Sequence, residues 1–429
     1  MSKNIKLEHQ KNQITRIISK TYLRCMTTTS GGNISVIDDN GAIWVTSSTI
    51  DKGSPSASNI ICVKKDGTVV RKHKPSSEFP FHKAIYEVRL DIKSVIHAHP
   101  LALVSFSIDR QIPNTNSISQ AKHICGTIGY TAYELPGSNK LGDTIAEEFK
   151  KDFKAVIMEN HETVLGVSDL TDAFERFETL EFCTRTILYG SQIGTPNYLT
   201  DSQIDAFEAE SNDMLPEMKT TLHPSDEVEK RLLICKIVQR SCQQGLMISS
   251  YGTVSMRWKD NAFLITPTNV CRWDMSPEDI VQIKNGEKET GKRPSRATWM
   301  YQEIYKNNPK VNSIIMTQSP YLKPFGVTKS YLNVRTITES WIFLQDIPSV
   351  KYGDHFKTKT NCKITKNCTT SLIIENDSVL ITDDKLLQTF DYLEVAKFSA
   401  KSIVLGASLG DMVPINDNQV EELQQKFLA

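Results

Sequence analysis

The 429-residue chain has no net charge, because 50 Lys+Arg balance 50 Asp+Glu. Without a basic excess, nucleic acid and an acidic membrane surface lose their simplest attraction, and neither is expected as a partner. No stretch reaches the roughly 18–20 apolar residues that a membrane-spanning helix needs. Met1 to Gln10 mixes charged and apolar side chains and lacks the apolar segment of a secretory leader. The nine cysteines lie scattered from Cys25 to Cys368 without a C-x-x-C pair. That usage suits reduced thiols in a cytoplasmic protein, most of them small core residues, with a redox or metal pair at Cys362 and Cys368 as the lesser reading. What is present is an average soluble composition, 39% hydrophobic and 23% charged. A core of ordinary size follows, and a length of this kind suggests two or three domains at roughly 100–200 residues each.

A repeat sharpens that count. Gly32-Asn33-Ile34-Ser35 and the run Ala42 to Thr46 reappear as Gly252-Thr253-Val254-Ser255 and Ala262 to Thr266. Pro75-Ser76 then aligns with Pro294-Ser295, Lys93-Ser94-Val95-Ile96 with Asn312-Ser313-Ile314-Ile315, and Glu159-Asn160 with Glu375-Asn376. The order is kept and the period is too long for a solenoid, so the chain reads as a duplicated domain. We expect one copy over residues 1–195, a linker over 196–225 rich in Pro, acidic and hydroxyl residues, and a second copy over 226–429. Helical spacing predicts helices over Leu7 to Cys25, Glu227 to Gln244, Pro80 to Arg89, Asp169 to Tyr189 and Asp384 to Leu405, with a short one near Gln203–Glu210. Short strands are expected at Ile43–Thr46, Ile60–Lys64 and Ser94–His97.

The first copy carries the chemistry. His97-Ala98-His99 ends the apolar run Val95-Ile96, and alternate side chains of a strand share a face, so both imidazoles can address one ion. His161 follows another apolar run, Ala155 to Met158. Three histidines with an open fourth position suit a catalytic zinc site and not a closed structural one; an ordinary hydrogen-bonded histidine pair at His97 and His99 is the alternative. Pro75-Ser76-Ser77-Glu78-Phe79-Pro80 places hydroxyls and backbone N–H groups before a helix start, where an anion can be held; a plain capping turn is the alternative. Gly31-Gly32-Asn33 and Ser47-Ser48-Thr49 are further turns that can bring donors close to a ligand, or ordinary loops.

Together these segments resemble the class II aldolase/adducin family, and within it the zinc-dependent L-fuculose-1-phosphate aldolases. The matching residues are Ser30-Gly31-Gly32-Asn33-Ile34-Ser35, Val45-Thr46-Ser47-Ser48, Ser76-Ser77-Glu78, His97-Ala98-His99-Pro100 and Asn160-His161. The resemblance implies a three-layer α/β/α fold with a central, mainly antiparallel sheet, present twice. It implies zinc on His97, His99 and His161, one ion per chain, with Glu78 as the acid/base carboxylate that can also ligate the metal. Asn33, Ser48, Ser76 and Ser77 would bind the substrate phosphate. The implied reaction is cleavage of a ketose 1-phosphate, such as L-fuculose 1-phosphate, to dihydroxyacetone phosphate and an aldehyde through a metal-stabilised enediolate.

Two departures stand out. Ser47-Ser48-Thr49 lacks the Pro and Gly of the family loop. The tyrosine that such aldolases supply from a neighbouring subunit has no clear counterpart at Tyr130 or Tyr133, and His123 is a conceivable substitute. Thr46 and Glu78, where the related 4-epimerases carry lysine and aspartate, argue against that branch; a sugar-phosphate dehydratase stays open. A non-catalytic, adducin-like scaffold is the alternative from another class.

In the second copy the positions of His97, His99 and His161 hold Met316, Gln318 and Asp377, and those of Ser77 and Glu78 hold Arg296 and Ala297. A zinc site is not expected there, although an anion can dock near Arg296. Family members form tetramers, so the resemblance implies a homo-oligomer, a dimer of fused pairs acting as a pseudo-tetramer, with Tyr321, Tyr331 and Tyr352 as candidate donors to the site of a partner.

Overall fold

The computed structural model describes residues 9–48, 50–70, 74–209, 215–219, 222–259, 261–354 and 370–428. Cys362 and Cys368 lie outside the described residues, as does Thr49. Two compact units emerge. One holds the described residues up to Thr115 with Ala121–Arg185, and the other holds Asn116–Gln120 and everything from Thr186 onward.

In the first unit, α1 (Gln10–Leu23) starts behind His9, whose ring accepts the Lys11 N–H, and buries Ile14, Ile17, Ile18 and Thr21 at helical spacing. It stops short of Cys25, where a left-handed φ of 54° turns the chain. Strands β1 (Asn33–Ile37), β2 (Ile43–Thr46), β3 (Ile60–Val63) and β4 (Val69–Val70) precede α2 (Phe79–Val88) and β5 (Ser94–Ala98). Then come α3 (Leu101–Ile108), α4 (Ser119–Cys125), β6 (Gly129–Thr131), α5 (Asn139–Lys150), β7 (Ala155–Met158), β8 (Thr163–Val167) and α6 (Leu170–Gly190). The sheet order is β4-β3-β2-β1-β5-β8-β7-β6, and only β6 and β7 pair in parallel.

Strand alternation sorts this sheet into two covered faces. Val45, Ile61, Val63 and Val95 pack with Phe81 and Ile85 of α2 and Leu141, Ile145 and Phe149 of α5 in one apolar cluster. Their neighbours Ile34, Ile60 and Ile96 are equally buried but point the other way, toward the side where α1 lies against β1, β2 and β3. This is the three-layer α/β/α arrangement. His97 shares the face of Val95, so it looks toward α2.

The second unit repeats the plan. The stretch expected as a linker contains α7 (Asp201–Ala209) and β9 (Glu217–Met218). There follow α8 (Ser225–Gln243), β10 (Thr253–Lys259), β11 (Ala262–Ile265), β12 (Val281–Lys284), β13 (Glu287–Glu289), α9 (Thr298–Asn307) and β14 (Ser313–Thr317). The unit closes with α10 (Lys323–Thr328), α11 (Thr338–Leu344), β15 (Ser349–Val350), β16 (Ser371–Ile374), β17 (Val379–Asp383), α12 (Leu386–Gly406) and α13 (Asp417–Phe427). Its sheet runs β15-β16-β17-β14-β10-β11-β12-β13-β9. Among the described residues no helix is long and apolar enough to cross a membrane.

Candidate active site and metal centre

The site is assembled where β1, β5, the start of α2 and the β7–β8 turn meet. Asn33 of β1 sits directly opposite His97 of β5 in the antiparallel register. Glu78 is the residue before α2, and Pro80 occupies the first turn, where its missing N–H costs nothing. Glu78, His82 and Tyr86 are spaced by four residues, so they line one side of the helix start and helix. That side faces β1. Tyr86 Oη lies 2.8 Å from Ser35 Oγ, which lies 2.7 Å from His82 Nδ1. His82 Nε2 meets Asn33 Oδ1, and Asn33 Nδ2 donates to Glu78 Oε2 at 2.6 Å. A neutral His82 that accepts at Nδ1 and donates from Nε2 satisfies every member of this chain in one direction. Burial pushes the His82 pKa down to about 3, with the nearby His97 adding to the effect, which agrees with a neutral ring.

Glu78 ends this chain against the histidines. Its Oε2 lies 2.8 Å from His97 Nδ1 and its Oε1 lies 3.2 Å from His161 Nε2. A second carboxylate, Glu162, joins from the β7–β8 turn. Its Oε2 is 2.8 Å from His97 Nε2 and 2.6 Å from His161 Nε2, and its Oε1 is 2.9 Å from His99 Nδ1. Among the described residues Glu78, His97, His161 and Glu162 form a possible metal-binding group, with one donor atom from each within 4.8 Å of the others. His99 stands beside this group; its Nε2 accepts the Gly32 N–H at 3.0 Å.

The electrostatics express crowding of opposite charges. Burial opposes ionisation of both carboxylates, yet the His97 charge on Glu78, and hydrogen bonds from His161 and His97 to Glu162, hold each well below the usual carboxylate range. Burial likewise disfavours a charged His97, but Glu78 and then Glu162 hold its pKa up to about 10. His161 is raised to about 8 against burial by hydrogen bonds to the same two carboxylates. The donor set fits a divalent cation. Two half-buried carboxylates face two imidazoles, His161 Nδ1 is buried without a hydrogen-bond partner, and His97 Nδ1 makes no aligned hydrogen bond despite its short approach to Glu78.

The hydroxyl turns also come together. Ser47 and Pro75 form an isolated bridge, the Ser48 N–H donates to Lys74 O, and the Ser76 N–H donates to Thr46 O, both at 3.2 Å. Ser76 Oγ accepts the Glu78 N–H at 3.3 Å, while Ser48 and Ser77 are exposed. Asn33 is buried and its amide is directed to Glu78 and His82. The close approach that Gly31 and Gly32 permit is to β5: a Cβ would lie 2.8 Å from His99 Cε1 on Gly31, and 2.6 Å from His97 O on Gly32.

The class II aldolase and adducin N-terminal domain matches this chain twice, over residues 12–188 and 233–404. The chain belongs to the class II aldolase/adducin family. A 5-deoxy-D-ribulose 1-phosphate aldolase of Bacillus thuringiensis serovar kurstaki is 27% identical over 203 residues, covering 46% of this chain and 93% of the relative. An L-fuculose phosphate aldolase of Methanocaldococcus jannaschii is 35% identical over 172 residues, covering 40% and 91%. A 3-oxo-tetronate 4-phosphate decarboxylase of Haemophilus influenzae is 29% identical over 206 residues, covering 46% and 96%. The aldolase-like fold is thus present in tandem, and each of these relatives spans about one copy.

In the second aldolase-like copy Thr253 and Met316 take the register positions of Asn33 and His97. Ala297 precedes α9 as Glu78 precedes α2. Asp377 and Ser378, joined by a 2.7 Å hydrogen bond, follow Asn376 as His161 and Glu162 follow Asn160. His82 and Glu162 are the site residues that sequence reasoning missed. The four-residue spacing from Glu78 was the available signal for His82, and a second acidic residue beside His161 was the signal for Glu162.

Proposed function

We propose that the first copy is a metal-dependent lyase that breaks a carbon–carbon bond beside the carbonyl of a phosphorylated sugar. The preferred substrate class is a ketose 1-phosphate such as L-fuculose 1-phosphate, giving dihydroxyacetone phosphate and an aldehyde. The observation that carries the reading is Glu78, a half-buried carboxylate aimed at His97 and His161 and held from behind by Asn33. A structural metal site has no need of a carboxylate next to a hydroxyl-lined turn.

His97, His99, His161 and Glu78 would hold the ion, and imidazole-rich donors suit zinc. When bound, a dication supplies a Lewis acid for the substrate carbonyl and offsets the negative charge of the enediolate. Ser48, Ser76, Ser77 and Asn33 would take the phosphate and so fix the reacting end against the donor cluster. Bond cleavage releases a proton from the hydroxyl that becomes the aldehyde and consumes one at the enediolate carbon. Glu78 can accept and return such a proton, and its release from the His97 contact would bring its pKa up toward the working pH. The Asn33 amide keeps its Oε2 in place during that exchange.

Decarboxylation of a 3-oxo acid phosphate is the second reading, favoured by the Haemophilus influenzae relative. It breaks the bond at the corresponding position and leaves an enediolate of the same kind, with carbon dioxide departing in place of the aldehyde. The second copy, lacking the donors, would be non-catalytic. The test incubates metal-replete protein with L-fuculose 1-phosphate, 5-deoxy-D-ribulose 1-phosphate and 3-oxo-tetronate 4-phosphate and measures dihydroxyacetone phosphate and carbon dioxide. Turnover lost with chelator and with Glu78→Gln is expected; no turnover of any of the three would sink the lyase reading.

A further inference from the structure

We propose that Glu162 is a metal ligand, so that the ion in this chain is held by two carboxylates. The proposal rests on the reading that the histidine cluster binds a divalent ion and adds a donor to it.

Adjacent residues of an extended chain point to opposite faces, so His161 and Glu162 should not address one point. The β7–β8 turn removes that constraint. Asn160 adopts a left-handed φ of 51°, the His161 N–H donates to Met158 O at 3.1 Å, and the Met158 N–H donates to Glu162 O at 2.9 Å. This tight reversal lets both side chains reach the same place.

A carboxylate that merely orients a ligating histidine sits behind the ring, on the nitrogen turned away from the ion. At His161 Glu162 does the opposite. It meets His161 at Nε2, the nitrogen that also faces Glu78, while Nδ1 on the far side of the ring is buried without a partner. On His97 it takes Nε2, and Glu78 approaches Nδ1. Its other oxygen faces His99 Nδ1, whose partner nitrogen is already engaged by the Gly32 N–H. Glu162 therefore shares with Glu78 the same nitrogen of His161 and faces the open nitrogen of His99, while on His97 the two carboxylates take different ring nitrogens; it reaches the donor group that His99 only borders. Two anionic donors neutralise a dication and suit harder ions such as manganese or ferrous iron better than an all-imidazole set does.

The test titrates the full chain with Mn²⁺ alone, reading free Mn²⁺ by electron paramagnetic resonance and metal-bound water by water-proton relaxation. Glu162→Gln and Glu162→Ser are compared with wild type. Serine already occupies this position in the second copy, at Ser378, behind a left-handed Asn376 with φ 52°, so the turn tolerates it. Loss of a ligand should weaken Mn²⁺ binding by about tenfold or more, the lower end of what disturbing even the surroundings of a ligand costs. It should also add one water to the bound ion. Wild-type affinity and water number in either folded variant overturn the role of Glu162 and leave the metal reading standing. A wild-type chain that takes up neither Mn²⁺ nor Zn²⁺ overturns both.

Discussion

The first and second copies run equivalent strands in the same order: β4-β3-β2-β1-β5-β8-β7-β6 in one, and β13-β12-β11-β10-β14-β17-β16-β15, with β9 added at an edge, in the other. Retained are the devices that shape the backbone. The Ile34 N–H donates to Thr46 Oγ1 and the Val254 N–H to Thr266 Oγ1, each at 3.3 Å. Tyr86 meets Ser35 at 2.8 Å and Tyr305 meets Ser255 at 3.0 Å. The reversals at Asn160 and Asn376 differ by one degree in φ. What differs are the donors: Glu78, His97, His161 and Glu162 against Ala297, Met316, Asp377 and Ser378. Charged groups crowded in a low-dielectric site are costly unless something pairs with them. A copy proposed to hold no ion would be relieved of that cost while keeping the hydrogen bonds that its sheet requires.

The comparison breaks most sharply in activity. Glu78→Gln should cost about 10²–10⁴-fold in turnover, the range expected of a general acid–base, whereas Arg296→Ala and Asp377→Asn in the second copy should leave turnover unchanged in the same dihydroxyacetone phosphate assay. A comparable loss from either second-copy variant would show that both copies serve the reaction. Reinstalling donors tests the retained scaffold. Ala297→Glu, Met316→His, Asp377→His and Ser378→Glu together should raise bound Mn²⁺ from one to two ions per chain, as counted by elemental analysis after gel filtration. A count that stays at one would mean that the second backbone no longer converges these positions.

Acid stability is a subtler contrast. His82 has a pKa of about 3 in the folded protein, below its ordinary value near 6.5. The unfolded chain therefore binds a proton that the folded one does not. Stability falls as the pH drops from about 6.5 toward 3, by up to about 1.4 kcal/mol per pH unit from this group. Urea unfolding at a series of pH values should show that slope reduced in His82→Gln, apart from any constant offset. Tyr301 stands at the matching place on α9, and burial raises its pKa well above 10. Tyr301→Phe should leave the acid slope as it is. The smallest expected difference lies at the paired glycines. Gly32 has φ 68° and an added Cβ would sit 2.6 Å from the His97 carbonyl; at Gly252, with φ 96°, it would meet the flexible Met247 side chain at 2.5 Å. Gly32→Ala should destabilise by about 1–3 kcal/mol, and Gly252→Ala by less, because a thioether can move and a strand carbonyl cannot.

Much of this was legible in the residues themselves. The duplication follows from ordered self-similarity, the opening and closing helices and the strands bearing Ser94–His97 and Ile43–Thr46 follow from local pattern, and the ends of these elements shift by only a few residues in the structure. The convergence of His97 with His161 was readable from two strand ends, whereas Glu78 joined them only through the family resemblance. Other features depend on geometry that no local pattern encodes. Glu162 enters only because Asn160 adopts a left-handed conformation. His99 has the right parity to join His97, but β5 ends at Ala98 and the Gly32 N–H claims one of its nitrogens. Asn33 reads as a ligand-binding residue from its turn alone, and its further contacts to Glu78 and His82 come from tertiary packing that no local pattern encodes.

On the proposed metal reading, the register that sets Asn33 opposite His97 and Val36 opposite Ser94 also makes the centre a proofreader of its own assembly. A slip of one residue between β1 and β5 would send Asn33 and Ser35 to the opposite face and leave His97 without its neighbours. Misfolded molecules with the strands out of step would then be blind to the metal. The fraction of a preparation that takes up an ion would count the chains whose central strands had found their partners, a folding assay built into the protein.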